Sequence, residues 1–399
     1  MIPSIRTAFN AQFTEASYQQ YLSILNAEFK ESIPFRIAET PVFIDKSFKE
    51  ALLAAGDAIC QFITHPNFGA LTNQSIPEGL KIPNEQAFPD CLVIDFAIAD
   101  GKDGRAVPAL IELQGFPSLF AFELLQANAL ASAYTLPKGF SPFLNGYNAS
   151  TYLDFLSSII KGAPAKHTIL LEIKPYEQKT RLDLLLTEKW LNVPIVCLSE
   201  IYKKDKSLYY KKEGIEFKVE RIYNRVVYDE LMQQEAIFKN QFDLFQSIAD
   251  IEWVNHPHHF FRISKYLLPL LKHASVPEAF ILADWMKDQS LCNVDAFICK
   301  PLFSFGGQGV MLQPTKESLE AIQDPQNWIL QRKVLYAAAI NTPSGPSKAE
   351  IRLFYFWDKH LNRYVATNNL TRISKGPMIG VSYNDTATWI GGSISYFEQ

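Results

Sequence analysis

The sequence predicts a mixed α/β (α+β) protein, and three segments carry that expectation. Residues 167–198 read strand, helix, strand, the order that builds a small parallel layer. Residues 91–114 read as two apolar strands around a polar turn. Residues 297–310 read as strand, glycine-rich loop, strand.

With 399 residues, the chain has room for roughly two to four domains. A hydrophobic share of 48% against 20% charged is enough for a substantial core. The 18 glycines and 23 prolines are too few for a collagen-like or low-complexity chain. A net charge of −4 argues against nucleic acid as a partner, because that binding needs a basic face. No run of about 18 apolar residues occurs, so no membrane-spanning segment is expected. The opening residues, Met1 to Arg6, lack the apolar stretch of a signal peptide. Cys60, Cys91, Cys197, Cys292 and Cys299 are widely spaced and form no C-x-x-C pair, which fits reduced thiols and a cytoplasmic location.

The elements follow in order. Tyr18, Tyr21, Leu22, Leu25 and Phe29 recur at helical spacing and predict a helix over 15–30. Phe48, Leu52, Leu53, Ile59 and Phe62 predict a second over 46–63. Residues 66–89 are rich in turn formers and read as a long loop. Strands over 91–98 and 107–114 flank the turn at 101–105, and an apolar helix covers 120–134. The central unit has strands at 167–173 and 193–198 around a helix at 178–190. A hairpin over 208–219 then presents lysines, either a solvated face or a phosphate contact. Later strands are expected at 296–300, 328–331 and 351–356.

The loop after Lys300 carries the most chemistry. Gly306, Gly307 and Gly309 leave backbone N–H groups free to converge on an anion without Cβ interference. Lys300 ends the preceding strand and can meet a phosphate as a point charge. The order differs from a Walker loop, where lysine follows the glycines, and no G-x-G-x-x-G opens a helix. By itself such a loop is more often a plain structural hairpin.

Taken with its neighbours, the segment resembles the ATP-grasp superfamily. That resemblance implies that Ser304, Phe305, Gly306, Gly307, Gln308 and Gly309 cover ATP phosphates and that Lys300 touches them. It also implies a second phosphate lysine in Lys265, and base recognition around Gln331. Without the resemblance, Lys265 reads equally well as a solvated helix residue. Arg352 and Arg372 suit a transferring phosphoryl group, since a guanidinium makes two parallel hydrogen bonds and keeps its charge. Leu-Thr-Arg-Ile-Ser around Arg372 is similar to an element of circularly permuted members.

The family's metal strand does not follow Arg372. The matching residues lie early, in Val93-Ile94-Asp95-Phe96 and Leu110-Ile111-Glu112-Leu113-Gln114-Gly115-Phe116-Pro117-Ser118-Leu119, with Glu123 beyond. They resemble the glutathionylspermidine synthase-like, circularly permuted group. Magnesium takes oxygen ligands, commonly one or two carboxylates with substrate phosphates. Glu112 and Gln114 are two apart in a strand and point to one face. The resemblance implies Asp95, Glu112 and Gln114 as magnesium ligands. Gln114 stands where the family has asparagine, and Val93 where the synthases have arginine. The implied fold is a circularly permuted ATP-grasp with a small parallel pre-grasp domain. Its regions would be a helical 1–87, the metal hairpin and helix at 88–165, the pre-grasp unit at 166–250 and the nucleotide-binding part at 251–399.

The activity so implied is ATP-dependent joining of a small-molecule carboxylate to an amine of the amino acid, peptide or polyamine class, with ATP and Mg2+. The alternative is a non-catalytic nucleotide- or partner-binding protein on a degenerate scaffold. His256-Pro257-His258-His259 invites zinc, but no further Cys or His pair stands at ligand spacing, so a packing role is expected. Arg36, Arg225 and the 139–148 loop offer substrate contacts without a spacing argument.

Overall fold

The computed structural model describes residues 2–29, 32–234, 236–248, 250–304, 306–376, 379 and 387–399. Phe305, one of the expected loop residues, lies outside them.

The chain opens with α1 (Pro3–Gln12) and α2 (Glu15–Asn26). Thr14 caps α2 by accepting the Ser17 N–H at 3.1 Å. The helix stops four residues short of the expected end because Asn26 turns the chain. Its Nδ2 donates back to the Leu22 carbonyl at 2.9 Å, and its Oδ1 accepts the Ile33 N–H at 3.1 Å. After β1 (Val42–Ile44) comes α3 (Lys46–Ile63), capped by Asp45 and matching the expected range. The expected long loop also contains a short helix, α4 (Phe68–Thr72).

The expected hairpin forms as β2 (Cys91–Asp100) and β3 (Ala106–Gln114). Next come α5 (Phe120–Ala133), β4 (Phe140–Ser141) and α6 (Ala149–Lys161). The β-α-β unit is β5 (Thr168–Glu172), α7 (Arg181–Leu191) and β6 (Ile195–Cys197). A meander of β7 (Tyr202–Lys204), β8 (Ser207–Lys212) and β9 (Ile215–Val219) leads to β10 (Arg221–Asn224). Beyond α8 (Tyr228–Gln233) and α9 (Ala236–Asp243), β11 (Glu252–Val254) completes a four-stranded parallel sheet ordered β11-β10-β5-β6. The sequence showed two of those strands; β10 and β11 are short and carried no recognisable period.

After α10 (His259–Arg262), β12 (Ala279–Ile281), β13 (Phe297–Pro301) and β14 (Trp328–Arg332) form an antiparallel sheet. Beyond β15 (Ile340–Thr342) lie two long strands, β16 (Gly345–Asp358) and β17 (Arg363–Ser374). The chain closes with β18 (Gly391–Ser393) and β19 (Ser395–Glu398).

The main sheet joins early and late sequence in the order β18-β17-β16-β2-β3, with β16 and β2 antiparallel and Asp95 opposite Arg352. Its two faces follow the alternation of the strands. Leu92, Ile94, Leu353 and Tyr355 pack toward α3 in one cluster. Cys91, Val93, Phe354 and Phe356 pack toward α5 in another. Phe120 at the start of α5 meets Phe354 and Phe356, each at 4.8 Å between ring centroids. Past that contact the α5 face turns from apolar to charged, at Asp95 in β2 and Arg352 in β16.

Candidate functional site

The charged part of this face opens into a cleft of about 1450 Å³. Lys265, Lys300, Ser304, Gly306, Gly307, Gln331, Glu112, Arg352 and Arg372 line it. They come from six separate stretches of sequence, at 112, 265, 300–307, 331, 352 and 372. Asp95 and Gln114 lie behind this lining, and Gln308 and Gly309 are exposed on the loop.

Asp95, 1% exposed, is the hub. Arg352 donates Nε to Oδ1 at 2.6 Å and Nη2 to Oδ2 at 2.7 Å. Arg372 donates Nη2 to the same Oδ2 at 2.6 Å and to Glu350 Oε2 at 2.9 Å. Tyr336 donates its hydroxyl to the other Glu350 oxygen. Arg352 also reaches Ser118 Oγ at 3.2 Å. Two arginines are thus fixed by charge-assisted hydrogen bonds to groups on adjoining strands.

Glu112 sits opposite Asp95 in the β2–β3 register. Gln114 donates its amide to Glu112 Oε1 at 3.0 Å, so the two share a face. Lys265 Nζ lies 3.6 Å from Glu112 Oε2, and Arg352 Nη2 lies 3.6 Å from Oε1. Burial pushes the Glu112 carboxyl up, but Lys265, Arg352, Arg372 and Lys300 outweigh it and hold it at about 2. Burial lowers both lysines against the pull of Glu112, Lys300 to about 8. Burial raises Glu350 despite Arg372 beside it.

Lys300 ends β13 and donates to Gln331 Oε1 at 2.8 Å; Gln331 in turn donates to the Leu110 carbonyl at 3.1 Å. Gln331 therefore engages Lys300 and β3 in this structure. Lys265 donates to the Ser304 carbonyl at 2.5 Å, tying it to the start of the glycine loop. Cys299 and Met311 exchange two backbone hydrogen bonds, 3.0 and 2.8 Å, that close the loop at its base. Gly306, Gly307 and Gly309 have φ of 61°, 79° and 71°, values that favour glycine.

Glu350 and Tyr336 went unread in the sequence, and Ser118 was read only as part of the resembling motif, without a role. Glu350 was accessible: it stands two residues before Arg352 and so shares its face. Arg36 lines the cleft. Arg225 instead donates to the Pro117 and Ser118 carbonyls and fixes the turn before α5. Glu85, His256 and His258 offer ligand atoms within 4.8 Å of one another. All four ring nitrogens are engaged, His256 by the His258 N–H and the Pro83 carbonyl, His258 by Glu85 and the Leu80 carbonyl. Arg262 also holds Glu85. The cluster staples residues 80–86 onto α10, in keeping with the expected packing role.

No family model matches the chain, and no curated protein does. Among solved structures, a glutathione synthetase-like effector from Globodera pallida, in its apo form, is similar with a TM-score of 0.53 and 11% sequence identity. The likeness covers 97% of this chain and 98% of that one. The two proteins share a fold. The relationship is distant, and at this identity it transfers no chemistry. No helix among the described residues is long and apolar enough to cross a membrane.

Proposed function

We propose that this chain is an ATP-grasp ligase, in the circularly permuted arrangement, that joins a carboxylate to an amine at the expense of ATP. The observation that supports it is the convergence of Lys265, Lys300, the glycine loop, Glu112, Arg352 and Arg372 on one cleft. Lys265 and Lys300 would hold the phosphates, with the 304–309 loop closing over them. Arg352 and Arg372, fixed by Asp95, would face the transferring phosphoryl group. The carboxylate oxygen of the acid substrate attacks the γ-phosphorus and ADP leaves, giving an acyl phosphate. The amine nitrogen then attacks the acyl carbon, phosphate leaves, and the amine gives up a proton. Closure excludes the water that would hydrolyse the intermediate.

The donor set fits magnesium in part. Glu112 is ionised, oxygen-bearing and open to the cleft. Asp95 has both oxygens engaged by arginines and would join on release of one contact. Turning the Gln114 amide over would present its oxygen beside Glu112. Bound there, magnesium would neutralise phosphate charge.

Magnesium-dependent ADP release, screened with amino acids, peptides and polyamines, tests the reading. Lys300→Ala and Glu112→Ala should abolish it while leaving the fold intact, and undiminished turnover in either rejects the assignment. The full engagement of Asp95 favours a second reading, a non-catalytic nucleotide- or partner-binding protein, which would bind Mg-ATP without turnover.

A further inference from the structure

One wall of the cleft lies outside the phosphate-binding part and comes from the N-terminal region. Tyr18 and Leu22 of α2, Ile33 to Ile37 after it, and Leu119 and Phe122 of the α5 start form it. Phe35 meets Phe122 edge-on at 5.4 Å. Most of the polar groups here are already used. Tyr18 donates its hydroxyl to the Ile37 carbonyl at 2.7 Å, and Asn26 is spent on Leu22 and Ile33. Arg36 is paired with Glu39 through Nη2, while its buried Nε has no hydrogen-bond partner among the described residues, and Lys179 is exposed. What they leave is an apolar chamber.

Glu123, in the first turn of α5, is the acidic group of this wall left without a partner. It lines the cleft, is 1% exposed, and its buried Oε2 has no hydrogen-bond partner among the described residues. A buried carboxyl oxygen left so is costly. Burial and the nearby Asp183 push its carboxyl well above the ordinary range, while Arg352 pulls the other way. Glu123 lines the same cleft as Arg352, the arginine proposed to face the phosphoryl group.

We propose that this chamber is the amine subsite and that it takes a primary ammonium carried on a single apolar body, with Glu123 binding the ammonium. An ammonium supplies the missing donor and the compensating charge, and the apolar wall covers the rest. A polyamine would bring further charges into the apolar chamber. The proposal rests on the ligase reading for the reaction but not for the binding.

Calorimetric titration of the full chain without nucleotide tests it, using 2-phenylethylamine, 2-phenylethanol, 3-phenylpropionate and spermidine. The amine should bind about tenfold tighter than the alcohol, the acid should not bind, and spermidine should be weaker than phenylethylamine. Glu123→Gln should reduce the amine to the level of the alcohol, and Leu22→Trp, filling the chamber, should remove binding. Equal binding of alcohol and amine, tightest binding by spermidine, or a preference that survives Glu123→Gln overturns it. Should that variant not fold, the unmodified protein's ligand series and Leu22→Trp decide. Mg-ATP is titrated separately. Amine binding without Mg-ATP binding defeats the ligase reading alone; Mg-ATP binding without amine preference defeats this inference alone.

Discussion

Arg352 grips Asp95 through two parallel hydrogen bonds, 2.6 and 2.7 Å, between residues 257 positions apart in sequence. The same carboxylate holds Arg372, so one buried anion pairs with two cations.

Asp95→Asn keeps the shape and removes that anion. Leaving buried charge uncompensated costs about 3–5 kcal/mol. The urea midpoint should fall accordingly, and ADP release should be lost. An unchanged midpoint would show that the pairing adds nothing to stability.

The charge on Lys300 sets a pH window. Burial places the folded-state value at about 8, below the ordinary 10.5. The ammonium is present below pH 8 and lost above it, so the affinity for Mg-ATP should weaken between pH 7 and 9.5. Lys300→Arg should flatten that profile, since a guanidinium stays charged. For folding the sign is opposite. The unfolded chain binds the extra proton between 8 and 10.5, so this group's contribution to stability rises with pH across that range. A pH-independent Kd in the unmodified protein would remove Lys300 from the phosphate site.

Gln331→Leu takes away the one acceptor that Lys300 has among the described residues and the donor to the Leu110 carbonyl. Losing a buried acceptor costs about 1–3 kcal/mol. Melting should fall by several degrees, and nucleotide affinity should change with it. A variant that melts as the parent does would mean that Lys300 finds another partner.

Gly115 sits where β3 ends against α10. A Cβ there would lie 2.3 Å from the His259 carbonyl oxygen and 2.8 Å from Ile263 Cβ. Gly115→Ala must therefore push apart the β2–β3 hairpin and the segment that leads to Lys265. Stability should drop by about 2–4 kcal/mol, readable in chemical denaturation, with ADP release falling as well. Parent-like stability would show that α10 can give way.

Much of this arrangement could be read before the structure. Period-two alternation was enough to put Glu112 and Gln114 on one face, and they touch. The β-α-β order at 167–198 was enough for a parallel sheet. Helix α3 was legible from its apolar stripe alone. Other features depend on long-range partners that local patterns do not encode. The N-terminal wall of the cleft is one; nothing in Tyr18, Leu22 or Phe35 distinguishes a cleft lining from a core. The engagement of Asp95 by two arginines is another, because it needs the pairing of β2 with β16. Glu350 obeys the same alternation, two residues before Arg352 on one face of β16, so it is legible once that strand is known to line the cleft.

Pairing β2 with β16 also bears on biosynthesis. At about 5–20 residues per second, the ribosome needs roughly 10–50 s to travel from Asp95 to Arg352. Through that interval the nascent hairpin carries an unpaired edge, and its buried acid has no counter-ion. Translation must outrun aggregation at that edge, or a holdase must shield it, until the late strands arrive.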